Sequence, residues 1–171
     1  MKTKNLCLVA LMSTLITVGA FIRLPISIVP ITFQTLFVIL NCYLLKNKAI
    51  FSILLYIFMG LIGLPVFTNG GGIGYILMPS FGYLIGFILC AYFIGNCHCE
   101  SKKELFFAGI IGIIIIYIIG VFYFVIIEYF YYHQIFSITY IFVSLFLIYL
   151  PGDILSIILA ITIYDKIRKH I

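Results

Sequence analysis

The sequence contains few charged side chains. Of its 171 residues only 9% are Asp, Glu, Lys or Arg, whereas 65% are hydrophobic, and the mean hydropathy is +1.31. Soluble domains have about 45–50% apolar residues. The composition therefore predicts an integral membrane protein and leaves no room for a separate soluble domain.

Motifs of nucleotide binding and hydrolysis are also absent. The chain has no G-x-x-x-x-G-K-[ST] segment to hold ATP phosphates, no H-E-x-x-H and no G-x-S-x-G. Charges within the apolar segments are too sparse for a proton relay, and no repeated half is evident. The five cysteines are an odd number scattered in or near apolar segments, so we expect no disulfide framework. These absences favour a membrane protein that binds a small molecule but has no ATPase or proton relay of its own to drive transport.

Six apolar segments predict an all-α bundle of six transmembrane helices that forms a single domain, residues 1–171. A spanning helix takes about 20 residues, so six of them leave only short loops. The first segment follows two lysines as a signal peptide would, but it is long for one and lacks a small-x-small cleavage site. We interpret it as a span. The predicted spans are residues 6–22, 31–45, 49–64, 80–96, 105–127 and 138–164.

The cations indicate how such a bundle is oriented. With six spans, nine of the ten Lys and Arg residues lie on one side, and only Arg23 lies on the other. The positive-inside rule then predicts that both termini are cytoplasmic. We expect a multi-pass protein of the prokaryotic cell membrane. Because this topology explains the net charge of +5, we expect no nucleic-acid partner.

The segment 64–83, LPVFTNGGGIGYILMPSFGY, is the one extended interruption of the apolar sequence. Its glycines permit positive φ and a close approach to a ligand, and a proline near each end prevents a continuous helix. A flexible turn is the simpler interpretation, but the segment is too aromatic and apolar for a solvated linker. We predict a loop packed over a cavity, with Asn69, Tyr75 and Tyr83 as its polar groups.

Asp153 lies inside the last apolar segment, directly after Pro151 and Gly152. A carboxylate in hydrocarbon is costly, so the side chain should face the bundle interior or a wet cavity. Pro151 should kink the helix and free a backbone carbonyl. The carboxyl could simply bond a neighbouring helix, but we favour a ligand that presents N–H donors.

Other polar and small residues allow two interpretations each. Arg23 could pair with an anionic ligand group or extend towards lipid head groups. Gln34 could line the cavity or merely begin a helix. A stripe of small residues in the first span allows another helix to approach, either within the bundle or from a separate membrane subunit. The stripe consists of Ala10, Ser13, Thr14 and Thr17.

Several segments in order along nearly the whole chain resemble the BioY family, the biotin-binding S components of energy-coupling-factor (ECF) transporters. They are VGAFIRLP (18–25), VPITFQTLFVIL (29–40), LIGLPVF (61–67), the GGG-x-GY run with MPSFGYLIGF (78–87), and LPGD (150–153). The resemblance implies a subunit that captures biotin outside and delivers it inward. Its partners would be a transmembrane coupling protein and two cytoplasmic ATPases. Only those ATPases would use ATP, and no cofactor or metal is implied.

The resemblance also implies site residues. Asn69 and Asp153 would meet the ureido ring, since an amide donates and accepts whereas a carboxylate accepts from N–H. Further residues would line or close the pocket: Gln34, Phe67, Gly71, Tyr75 and Tyr83. This chain has Ser156 where the family often has a lysine, so Arg23 becomes a candidate for the ligand carboxylate. Its loop is one residue shorter than is typical, and hydroxyl residues replace several alanines of the docking stripe in the first span.

Two other classes of function remain open. A structural or assembly subunit would leave Asp153 and the Gly-rich loop without a role. A membrane-embedded enzyme acting on a lipid or peptide would need a second polar group close to Asp153, and the sequence offers only distant candidates. The sequence does not distinguish biotin from a close analogue.

Overall fold

The computed structural model describes residues 3–24, 29 and 31–169, and these form a helical bundle. A two-residue antiparallel ribbon pairs β1, Arg23–Leu24, with β2, Ile31–Thr32. The helices are α1 (Thr3–Phe21), α2 (Gln34–Leu45), α3 (Ala49–Leu61), α4 (Phe81–Asn96), α5 (Lys102–Phe130), α6 (Ile138–Phe142) and α7 (Leu150–Arg168). Pro25 and Pro30, which the sequence places in an extended connection, lie outside the described residues.

Four stretches are long and apolar enough to cross a membrane by length and composition. They are Thr3–Phe21, Gln34–Leu61, Lys102–Phe130 and Ile138–Arg168, and α4 is a shorter apolar helix. Many large apolar side chains on these helices are exposed, such as Phe122 on α5 at 66%. Such a surface is stable only against lipid or another protein, so the helices support the predicted membrane setting.

The 28-residue stretch Gln34–Leu61 is a helical hairpin rather than one straight helix. The Gln34 amide donates to the Tyr56 hydroxyl (2.8 Å), and the Ser52 hydroxyl donates to the Asn41 side chain (2.8 Å), so α2 and α3 run antiparallel. Lys46–Lys48 forms the turn between them. The two helices are shorter than the predicted spans 31–45 and 49–64, because the β-ribbon precedes α2 and the Gly-rich loop follows α3.

The predicted span 138–164 is divided by an irregular segment. A π-helical turn, Val143–Leu147, separates α6 from α7, and the Ile148 N–H bonds the Val143 carbonyl (3.3 Å). Pro151 lies in the first turn of α7. Its ring crowds the carbonyl four residues earlier, at Leu147, where the π turn ends. The expected kink is thus a change of helix type before the proline.

Two groups of contacts distinguish the two ends of the bundle. At one end the Lys46–Lys48 turn packs on Gly95 of α4, and Lys102 forms an ion pair with Asp165 (2.7 Å). The β-ribbon, the Gly-rich loop and the start of α7 lie at the other end. We call these the lysine end and the loop end.

Candidate ligand-binding cavity

A cavity of about 630 Å³, including the part open to the outside, lies at the loop end. The polar lining is Thr32, Gln34, Thr35, Thr68, Tyr75, Ser80, Tyr83, Tyr117, Tyr149 and Asp153. The apolar lining is Val29, Leu84, Phe87, Ile113 and Ile116. The cavity therefore combines apolar walls from α4 and α5 with polar groups from the β-ribbon, α2, the Gly-rich loop and α7.

Asp153 is the carboxyl group of this cavity and is only 8% exposed. The first turn of α7 positions it, since its N–H bonds the Tyr149 carbonyl (3.0 Å). Its side chain accepts a hydrogen bond from the Tyr117 hydroxyl on α5 and interacts with Thr35 on α2. Asp153 thus bonds neighbouring helices and also lines the cavity, so the two interpretations of this residue are compatible.

The Tyr83 hydroxyl is buried and has no hydrogen-bond partner within the described part of the chain. The ring packs against Gly120 of α5, where an added Cβ would lie 2.7 Å from ring carbons. Leaving a buried hydroxyl without a partner costs about 1–3 kcal/mol. A ligand that accepts a hydrogen bond would satisfy it.

Gln34 and Tyr75 line the cavity but already have partners. Gln34, 4% exposed, bonds Tyr56, whose hydroxyl in turn donates to the Val66 carbonyl (3.3 Å). The Tyr75 hydroxyl lies 3.2 Å from the Ser80 Oγ. Both side chains are therefore held in place before any ligand arrives.

Phe67 and Gly71 lie behind the cavity wall. Phe67 is 1% exposed, with its ring centroid 5.3 Å from that of Tyr56 and 4.4 Å from that of Tyr75. A Cβ at Gly71 would lie 2.1 Å from the Leu64 carbonyl oxygen, so only glycine fits there. Phe67 therefore supports Tyr75, Gly71 shapes the Gly-rich loop, and neither residue lines the cavity.

Arg23 and Asn69 bond each other. The Arg23 guanidinium donates to the Asn69 side-chain oxygen and to the Thr68 carbonyl. Neither residue lines the cavity, but Arg23 lines an adjacent apolar groove together with Asp153 and Ser156. The structure therefore gathers Asp153, Gln34, Tyr75 and Tyr83 around the cavity and leaves Asn69 and Arg23 on its outer side. Ligand binding by any of these residues stays a prediction.

Sequence reasoning missed Tyr117 and Tyr149. Tyr117 lies in an almost uninterrupted Ile, Phe and Tyr segment and bonds a carboxyl 36 positions away. Tyr149 directly precedes LPGD, and its hydroxyl donates to the Val29 carbonyl. The available signal was a phenol within an apolar span, which needs a partner when buried, but its partner is not evident from the sequence.

The small-residue stripe of α1 divides between two faces. Ser13 is buried at 1% exposure inside the bundle, in agreement with the interpretation that the stripe packs within the bundle at this position. Ala10 and Thr14 are exposed and Thr17 is half-buried. The Thr14 and Thr17 hydroxyls bond the carbonyls of Ala10 and Ser13 (3.0 and 3.1 Å), so their polarity is satisfied within α1.

Comparisons with known proteins agree on one family. A sequence model of the BioY family matches residues 1–171. A "Probable biotin transporter BioY" of Lysinibacillus sphaericus is 48% identical over 125 residues, which are 70% of this chain and 64% of that protein. This chain thus spans somewhat less than two thirds of the length of that relative. A "Biotin transporter BioY" of Thermotoga maritima is 41% identical over 125 residues, 70% of this chain and 73% of the relative.

A solved structure is similar over almost the whole chain. It is the crystal structure of the S-component for biotin from an ECF-type ABC transporter, with a TM-score of 0.80 and 25% identity. The match covers 98% of this chain and 92% of that one.

Proposed function

Because this chain belongs to the BioY family, we propose that it captures biotin as the S component of an energy-coupling-factor transporter. The family match confirms the resemblance that the motifs indicated. It also agrees with the prediction that the chain is not an enzyme, since its relatives are named as transporters.

The chemistry of the cavity supports this proposal. Biotin presents a ureido group with two N–H donors and one carbonyl acceptor, beside an apolar ring. The Asp153 carboxyl can accept from the N–H groups, and the Tyr83 hydroxyl can donate to the carbonyl. One observation carries the proposal: the same cavity holds the buried Asp153 carboxyl and the buried Tyr83 hydroxyl, which has no partner among the described residues.

The remaining parts of biotin find suitable surfaces at the same place. Leu84, Phe87 and Ile113 offer an apolar wall for the fused ring. Arg23 is the one cation of the described loop end, and it bonds the loop through one guanidinium nitrogen, so its other N–H groups are available to a carboxylate. The Asn69 oxygen is occupied by Arg23, so Asn69 would reach the ligand through its amide N–H₂.

We assign six membrane crossings to the chain, with both termini cytoplasmic. The α2–α3 hairpin supplies two of them, and the α6–α7 stretch supplies one. Lys46, Lys48, Lys102 and Lys166 then lie on one side, as the positive-inside rule requires.

The proposed partners are a transmembrane coupling protein and two cytoplasmic ATPases. One face of α1 consists of the exposed Ala10 and Thr14 and the half-buried Thr17. The two threonine hydroxyls on this face donate to backbone carbonyls of α1 itself. Such a face lets a second membrane helix approach closely.

Titration calorimetry of biotin into the purified protein in detergent, without partners, tests the proposal. We expect one saturable site and weaker binding of biotin methyl ester, because the ester removes the charge that Arg23 would pair with. Binding of biotin should also raise the melting temperature, since a ligand stabilises the state it binds. A cooperatively melting protein that gives neither heat nor a melting shift with biotin would contradict the proposal.

A further inference from the structure

A second pocket lies at the lysine end, on the far side of the bundle from the cavity. It measures about 700 Å³, including the part open to the outside. The Lys46–Lys48 turn and the end of α4, Gly95 to His98, form its polar walls, and Leu44 and Leu45 form its apolar side. Because the apolar helices α2 and α4 end here, the pocket lies where a bilayer changes from hydrocarbon to head groups.

The charged side chains that line this pocket are positive. Lys46, Lys48 and the donor-bearing imidazole of His98 line it, and no carboxylate does. Two nearby carboxylates are engaged elsewhere. Glu104 accepts from the Glu100 N–H (2.8 Å), and Asp165 pairs with Lys102. Within the described residues neither pocket lysine has an ion-pair partner.

The backbone holds Lys46 in an unfavourable conformation. Its φ is 50° and its ψ is −129°, a region that L side chains rarely adopt. The Lys46 carbonyl packs on Gly95, where a Cβ would lie only 2.8 Å from that oxygen. A glycine at position 46 would adopt this turn without strain. A strained lysine at the pocket rim points to a use for its charge.

We propose that this pocket binds the phosphate-bearing head group of an anionic phospholipid. Lys46 and Lys48 would pair with the phosphate oxygens, the amide of Asn47 would add a hydrogen bond, and the acyl chains would lie along Leu44. Basic pockets at the cytoplasmic ends of transmembrane helices bind such head groups. A free phosphate compound would use the polar half of the pocket only, whereas a lipid also uses its apolar side. The site goes beyond biotin capture and does not depend on it.

Native mass spectrometry of the protein in neutral detergent tests the proposal, with short-chain phosphatidylglycerol as the probe and phosphatidylcholine as the uncharged comparison. The paired variant Lys46→Gln with Lys48→Gln should bind phosphatidylglycerol about thirtyfold more weakly. The control, Lys103→Gln with Lys166→Gln, removes the same charge at the same end but outside the pocket and should bind almost normally. Because Lys46 belongs to a tight turn, Lys48→Gln alone is a second variant, with an expected loss of about fivefold.

Three results would overturn the proposal. Equal binding of the two lipids would show that the phosphatidylglycerol charge is not recognised. An equal loss in both double variants would assign the effect to the general positive charge of the lysine end. Displacement of the lipid by glycerol 3-phosphate at equal concentration would identify a soluble phosphate as the occupant. None of these experiments uses biotin, so a negative result would leave the proposed biotin capture untouched.

Discussion

The polar side chains of the cavity differ in whether the protein itself satisfies them. Asp153 accepts a hydrogen bond from Tyr117, whereas the Tyr83 hydroxyl is buried without a partner among the described residues. An unsatisfied hydroxyl of this kind lowers the stability of the unliganded protein, and a ligand that accepts its hydrogen bond would offset that cost. Variants of these two residues therefore test whether the cavity is a ligand site or a buried polar network that only stabilises the fold.

Tyr83→Phe should lower biotin affinity about three- to tenfold without lowering the stability of the unliganded protein. The change removes only a hydroxyl that lacks a protein partner. Calorimetry and thermal melting measure the two quantities. Tyr43→Phe is the matched control, because that hydroxyl bonds the Leu105 carbonyl (2.8 Å) far from the cavity. It should reduce stability and leave affinity unchanged. The reverse pattern would show that Tyr83 is not a ligand contact.

Asp153→Asn should weaken biotin binding about ten- to a hundredfold, since a charge-assisted hydrogen bond contributes about 1.5–3 kcal/mol. The amide keeps the size of the side chain and can still accept from Tyr117, so the bundle should fold. Asp165→Asn, at the lysine end, is the control and should bind biotin normally. Unchanged affinity in a folded Asp153→Asn protein would remove Asp153 from the site.

At the scale of helices, α4 and α5 approach closely because glycines face the opposite helix. A Cβ at Gly86 would lie 2.9 Å from the Ile116 Cα. Since that neighbour is backbone, neither side can adjust by rotating a side chain. The close packing also places Leu84, Phe87 and Ile116 along one wall of the cavity.

Gly86→Ala should therefore destabilise the protein by about 1–3 kcal/mol, the usual cost of an overpacked contact. The melting temperature in detergent is the measurement. Gly152→Ala provides the comparison, because nothing lies within 4 Å of its added Cβ and its φ is ordinary for a helix. If the two variants melt alike, α4 and α5 are not packed as closely as described.

The exposed face of α1 leads to a prediction about assembly. Ala10→Trp should prevent co-purification with the coupling protein while biotin binding persists, because the large ring blocks the approach of a second helix. Ile118→Trp on α5 is the control, since that residue is 61% exposed on another helix. Loss of assembly in both variants, or in neither, would contradict docking through this face.

At the scale of the whole molecule, the separation of charge between the two ends predicts orientation in the membrane. A fluorescent protein fused to the C-terminus should fluoresce, and alkaline phosphatase fused at the same point should be inactive, because that terminus is expected in the cytoplasm. Alkaline phosphatase fused within the Gly-rich loop, at Gly74, should be active. An active C-terminal phosphatase fusion would contradict a cytoplasmic C-terminus.

Much of the architecture could be predicted from local sequence properties. Apolar runs of spanning length become helices because a bilayer offers no other partner to backbone groups. The same reasoning predicted that Asp153 faces inward and that the Gly-rich loop interrupts the helices. It did not predict the π turn before Pro151, and it left open whether Ser13 packs within the bundle. Both depend on how neighbouring segments pack.

The sequence by itself determined the membrane setting and the family, and through the family resemblance it gave the residues expected to meet a ureido group. The tertiary structure decided which of them meet. It joined Tyr117 to Asp153 across 36 positions, and it turned Arg23 onto Thr68 and Asn69 across 45 and 46 positions. It also left Tyr83 without a partner among the described residues. The physical reason is that hydropathy and helix formation are properties of short segments, whereas hydrogen bonds between helices depend on their packing.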